Sequence, residues 1–249
     1  MAAAMDRRAE RWGLPAHRTI PFAPVIDGEA LAVTPWRALT DGAGRGVELL
    51  VGHTRAEQRL FTALNGLLGE VGEEQAAAAL DFFAPGPDGA RRYREAFPAA
   101  GPDELYELVH SDWLFRMPTL QLAEAQTAAG GRVHVYELTW PAPAMGGAFG
   151  ACHGLDVPLV FGNLDRGQPA MLIGEEPSAV AEAEALSGLM RAAWTGFAAH
   201  GAPGWPAYGT DRRLVRLFGT GPAVTGYPED SSRLIWQDHA FRALPLISR

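Results

Sequence analysis

Val47-Glu48-Leu49-Leu50-Val51-Gly52-His53-Thr54-Arg55-Ala56-Glu57-Gln58 opens with a short, nearly all-apolar run that stops at a glycine. That is the pattern of a strand buried in a parallel sheet. Two further strands are predicted at 133–138, where alternation coincides with β-favouring residues, and at 214–218, closed by Gly219. Helical patterns lie between them. Segments 104–110 and 115–129 carry packed-helix intervals, and Pro118 must bend or restart the second. The clearest helix spans about 178–200, with Leu186, Leu189, Met190, Ala193, Trp194 and Phe197 as one apolar stripe. Gly201 ends it, Pro203 follows, and a last helix is read at 231–239. Strands alternating with helices predict an α/β class with a mostly parallel sheet. Residues 1–249 read as a single unit, since no repeat or low-complexity linker divides them. The first 46 residues are rich in turn signals such as Asp27-Gly28 and Asp41-Gly42. Segment 47–51 therefore has the look of an interior strand without a neighbour on one side, and the sheet is expected to be open there.

The composition narrows the function classes. A hydrophobic content of 47% over 249 residues is ample for a core. The formal charge of −8 argues against nucleic-acid and anionic-membrane partners. All 21 basic residues are arginine, which fits GC-rich coding better than a functional patch. Cys152 is the single cysteine, so no intrachain disulfide can form. The first residues carry no signal-peptide pattern, and no run of about 18 apolar residues suggests a membrane span. A cytoplasmic protein is the expectation.

Chemistry enters at Gly150-Ala151-Cys152-His153-Gly154-Leu155-Asp156-Val157-Pro158-Leu159-Val160-Phe161-Gly162, where a histidine sits on a glycine-flanked turn free to bend and project its imidazole. This loop resembles the catalytic-histidine loop of type B carboxylesterases, the cholinesterase-like branch of the α/β-hydrolases. Three other segments resemble the same family in the same order. Phe22-Ala23-Pro24-Val25-Ile26-Asp27-Gly28 is similar to its Gly-Pro-Val-Val-Asp-Gly turn. Leu50 through Gln58 is similar to its acid-bearing strand and turn, Gly-x-Thr-x-Asp-Glu-Gly. Pro203-Gly204-Trp205-Pro206-Ala207-Tyr208 is similar to its Trp-Pro-x-Tyr element.

The resemblance implies a partial α/β-hydrolase fold, the C-terminal half of such a domain. It carries the family's acid to Glu57 and its base to His153. A neutral imidazole can take a serine proton and return it to the leaving alcohol, while a carboxylate on its other nitrogen fixes the tautomer. The chain departs from the family in two respects. The usual Asp-Glu-Gly is Ala56-Glu57-Gln58, and no Gly-x-Ser-x-Gly surrounds Ser111, Ser178, Ser187, Ser231, Ser232 or Ser248. No nucleophile is therefore assigned. The family's nucleophile elbow and oxyanion loop lie upstream of its Asp-Gly turn, so the matching part is expected to be missing rather than mutated. The helix-like start, 1–11, points the same way.

Esters hydrolysed by such a family are small-molecule carboxylic esters, but the chain alone is expected to be inactive. The alternatives are one subunit of a split esterase, completed by an N-terminal half polypeptide, and a non-catalytic interaction module. No cofactor is implied. No metal site is expected, because the remaining histidines show neither H-x-x-x-H nor H-x-E pairing. His53 is a decoy partner for Glu57, Cys152 reads as a packing residue, and Gly146-Gly147 as a flexible run into the histidine loop.

Overall fold

The computed structural model describes residues 24–219 and 223–243. The helix-like reading of 1–11, and Phe22 and Ala23 of the first turn motif, lie outside the described residues. Strands β1 (Leu49–Thr54), β2 (Val133–Leu138), β3 (Val215–Phe218) and β4 (Ala223–Thr225) form one sheet in the order β1-β2-β3-β4. The first three run parallel, with Val51 opposite Val135 and Val135 opposite Val215; β4 returns antiparallel. The three expected strands are thus present, and β4, only three residues long, is an addition.

β2 is buried at every position, as a central parallel strand must be. β1 is not an interior strand among the described residues. It ends the sheet, starts at Leu49 rather than Val47, and is only half-buried over its first four residues. Val47 is exposed because residues 44–47 form a turn, its carbonyls capped by the Gln126 amide.

Between β1 and β2 run α1's successors: α1 itself (Pro35–Thr40) precedes the sheet, then come α2 (Glu57–Leu64), α3 (Glu73–Phe83), α4 (Gly89–Ala96), α5 (Pro102–Ser111) and α6 (Met117–Ala128). Between β2 and β3 lie α7 (Asp156–Phe161), α8 (Gly167–Ile173) and α9 (Pro177–His200); α10 (Asp230–Trp236) follows β4. Alternation along each strand sends Val133, Val135 and Val215 to one face, against Leu80, Val109 and Leu120 of α3, α5 and α6. Tyr136, Leu138 and Phe218 face the other way, against Leu186, Met190 and Ala193 of α9. Helices therefore cover both faces, the layering that buries a parallel sheet.

Pro118 marks a restart, as expected. A π-helical segment, Asp112–Arg116, joins α5 to α6, the Met117 N–H bonds the Asp112 carbonyl, and Pro118, which has no N–H to give, sits in the first turn of α6. α9 ends as expected on Gly201 at φ +66, whose N–H bonds the Phe197 carbonyl at 2.7 Å. Its buried stripe is rotated from the sequence reading: Ala179, Ala183, Leu186, Ser187, Met190 and Ala193 point inward and Leu189 is exposed. The buried face packs on α7, with Ser187 donating to the Leu159 carbonyl at 2.7 Å, while Trp194 reaches the Tyr136 and Phe218 rings of the sheet. Among the described residues no helix is long and apolar enough to cross a membrane.

Candidate active site

The acid turn follows β1 and the histidine loop follows β2, so parallel pairing brings their C-terminal ends to one edge of the sheet. A single backbone bridge completes the approach. Ala56 pairs in parallel with Cys152, its N–H donating to the Ala151 carbonyl at 2.9 Å. Gly150 permits it. The residue has φ +58, and a Cβ there would press on Ala56 Cβ and Arg59 Cδ at 3.3 Å.

Glu57 and His153 are the next residues on either side of that bridge, and their side chains meet. His153 Nδ1 lies 2.7 Å from Glu57 Oε2. Glu57 Oε1 accepts the Thr54 N–H at 2.8 Å, so both carboxylate oxygens are engaged on a nearly buried side chain. A carboxylate only accepts, which puts the imidazole proton on Nδ1 and leaves Nε2 as the basic nitrogen of the neutral ring. The hydrogen bond that His153 Nδ1–H donates to Glu57 raises the His153 pKa above its ordinary 6.5, with partial burial opposing. Phe115 and Phe61 flank the ring, at centroid distances of 4.7 and 5.1 Å, while 42% of the side chain stays exposed. Beyond the loop, Tyr136 donates to Asp156 Oδ2 at 2.7 Å, pinning the start of α7 to β2.

The structure brings Glu57 and His153 together and leaves the decoys elsewhere. His53 is buried against Tyr227 and the Thr54 carbonyl; burial, with Arg116 nearby, drives its pKa down to about 3 and keeps it neutral. Cys152 is fully buried and its thiol is pushed up to about 11, the behaviour of a packing residue. Gly146-Gly147 belongs to a short 3₁₀ turn (Ala144–Gly147) leading into the loop. Ser111 accepts the Gln58 N–H and Ser187 donates to the Leu159 carbonyl; among the described residues no serine bonds His153. Nor does any group of three potential metal ligands occur among them. The flanking Phe61 and Phe115 went unread in the sequence. Phe61 is one helical turn beyond Glu57, a placement visible only once α2 is recognised.

A carboxylate on the turn after one parallel strand, bonded to a histidine on the loop after the next, defines an α/β-hydrolase. No protein-family model matches the chain. Para-nitrobenzyl esterase of Bacillus subtilis (strain 168) is 30% identical over 219 residues, 85% of this chain and 42% of that protein. Phenmedipham hydrolase of Pseudarthrobacter oxydans is 26% identical over 209 residues, 80% and 41% of the two lengths. The crystal structure of Geobacillus stearothermophilus carboxylesterase EST55 at pH 6.2 superposes with a TM-score of 0.74 at 29% identity, covering 95% of this chain and 54% of that one. The chain belongs to the type B carboxylesterase family and corresponds to the C-terminal half of its members, spanning about half the length of the relatives it matches.

Proposed function

We propose that this chain is the acid–base half of a serine carboxylesterase acting on small-molecule carboxylic esters. Glu57 orients and stabilises the imidazolium, and His153 Nε2 takes the proton of a serine hydroxyl and passes it to the leaving alcohol. The observation that carries the reading is the 2.7 Å contact between His153 Nδ1 and Glu57 Oε2, with Nε2 left unbonded among the described residues. The serine and oxyanion donors must come from polypeptide other than residues 1–249, in which no Gly-x-Ser-x-Gly occurs.

On its own the chain is inactive. Loss of the nucleophile costs a serine hydrolase on the order of 10⁶ in kcat, before the oxyanion donors are counted. β1, the end strand of the sheet among the described residues, favours completion by a separate N-terminal half polypeptide. A single, buried cysteine suits a cytoplasmic setting. The test is hydrolysis of p-nitrophenyl acetate by the 249-residue chain, alone and mixed with an N-terminal half carrying the serine elbow. Activity that needs both parts and vanishes in His153→Ala is expected. Robust hydrolysis by the chain alone, lost in His153→Ala, would overturn the inactivity, and no activity in the mixture would count against the two-part enzyme.

A further inference from the structure

The turn that carries Glu57 is held by more than its backbone. Arg55, two residues before the acid, donates from Nε to Glu137 Oε1 at 2.7 Å and lies 3.5 Å from Glu229. Its N–H donates to the Leu138 carbonyl at 2.9 Å, and its own carbonyl receives Arg116 Nη1 at 3.4 Å. Thr54 on one side supplies the N–H that binds Glu57, and Ala56 on the other bridges to the histidine loop. Thr54 is thus tied to Glu57, the Arg55 N–H to β2 and Ala56 to the histidine loop, and the Arg55 side chain adds a second tie to β2 and one to the segment after β4.

Glu137 makes that tie costly to lose. Its carboxylate is wholly buried on the central strand, with Oε2 unpartnered among the described residues. Burial, reinforced by the Glu229 charge, pushes its pKa up to about 7 although Arg55 and Arg116 pull it down. Arg116 is already committed to Asp112 at 2.6 Å and to Glu229 at 3.4 Å. Arg55 is the cation that bonds Glu137 directly.

We propose that Arg55 is a positioning residue for the acid: its guanidinium, clamped by Glu137 and Glu229, holds the Thr54–Glu57 turn in the one geometry that presents Glu57 to His153 Nδ1. The proposal rests on the Glu57–His153 reading above, but it can be tested on the full chain without any ester hydrolysis. The readout is the His153 titration, followed by NMR through its imidazole protons. The charged groups that act on His153 are Glu57 and Asp156.

The sign of the change separates positioning from simple electrostatics. Removing a positive charge in the vicinity can only raise a histidine pKa through space. A lowered His153 pKa in an Arg55 variant therefore reports loss of the Glu57 hydrogen bond. In Glu57→Gln the His153 pKa is expected to fall to 6.5 or below. Arg55→Ala and Arg55→Met, the latter keeping the apolar stem so that one variant remains if the other fails to fold, are expected to lose half or more of the same elevation. Arg55→Lys, which can still pair with Glu137, should restore most of it. An unchanged or raised pKa in both neutral variants, with Glu57→Gln lowered, would overturn the clamp and leave the acid–base pair standing. No change in Glu57→Gln itself would overturn the pair, and the clamp with it. Lost stability with an unshifted titration would assign Arg55 a structural role only.

Discussion

Ala56 and Cys152 are joined by an isolated parallel bridge, so that the residues following them, Glu57 and His153, stand side by side although 96 positions apart. The bridge carries parallel pairing past the end of β1, and the Cys152 side chain packs into the core with Leu155 and Leu159.

Cys152 has no exposed surface and its thiol is pushed up to about 11 by burial, with the Glu57 and Asp156 charges adding to it. At pH 8 the thiolate fraction is then about a thousandth, from the three units between pH and pKa, and reagent access is blocked as well. Iodoacetamide is expected to leave the folded chain unlabelled at pH 8 and to modify it fully in denaturant. Fast labelling of the folded protein, followed by mass spectrometry, would contradict the burial. Cys152→Leu overfills the same space and is expected to cost about 1–3 kcal/mol in chemical denaturation.

His53 and His153 act on stability in opposite directions. The His53 pKa is depressed from 6.5 to about 3, so the unfolded chain takes up a proton that the folded chain refuses. Its contribution is present above pH 6.5 and is lost as pH falls toward 3, about 2 kcal/mol being gone by pH 5. His153 has a raised pKa, so its contribution is full below 6.5 and is lost as pH rises through the folded value. Urea denaturation across pH 4–9 should show His53→Phe flattening the acid limb and Glu57→Gln flattening the fall above pH 6.5. An acid limb unaltered in His53→Phe would show that other groups govern it.

β1 was legible because an apolar run at 49–51 stops at Gly52, β2 because alternation coincides with β-favouring residues at 133–138, and α9 because it is long enough for its period to repeat. The Glu57–His153 pair was legible through family motifs, not through spacing. What stayed hidden has physical reasons. α3 is a run of alanines between acidic and aromatic ends, with little contrast between its faces, and α4 is short, with Tyr93 its one large ring among arginines and small residues. The stripe of α9 was misplaced at Leu189 because small residues, Ala179, Ala183 and Ser187, which carry a weak hydrophobic signal, share its buried face with Leu186 and Met190. The buried pair Asp112–Arg116 reads as an ordinary i,i+4 surface pair until the π segment turns it inward.

That segment supports a test of buried polar bonding. Tyr93 donates to Asp112 Oδ2 at 2.6 Å and accepts the Trp236 indole N–H at 2.7 Å, linking α4, the π segment and α10. Tyr93→Phe keeps the ring and strands both partners in the core, an expected loss of about 2–3 kcal/mol. Arg116→Leu should cost more, about 3–5 kcal/mol, because Asp112 is then a buried carboxylate without its cation. Burial already pushes the Asp112 carboxyl above its ordinary value. Equal, small losses in both variants would mean that water reaches the cluster.

Two glycine-to-alanine substitutions should change stability with opposite signs. Gly188 lies inside α9 with open space where a Cβ would go, so Gly188→Ala only removes backbone freedom from the unfolded chain. A gain of about 0.5–1 kcal/mol is expected. Gly52 lies in β1 opposite Tyr136, and a Cβ there would run into the Tyr136 carbonyl and ring. Tyr136 cannot step aside cheaply, since its ring packs on Trp194 and Phe218 and its hydroxyl holds Asp156. β1 must move instead, and as the end strand of the described sheet it has one neighbour to move away from. Gly52→Ala is therefore expected to cost about 1–3 kcal/mol. It should also carry Thr54 and Glu57 away from His153, lowering the His153 pKa, which Gly188→Ala leaves unchanged. A Gly52→Ala protein with wild-type stability and an unshifted His153 titration would mean that β1 is not packed against β2 as closely as Gly52 requires.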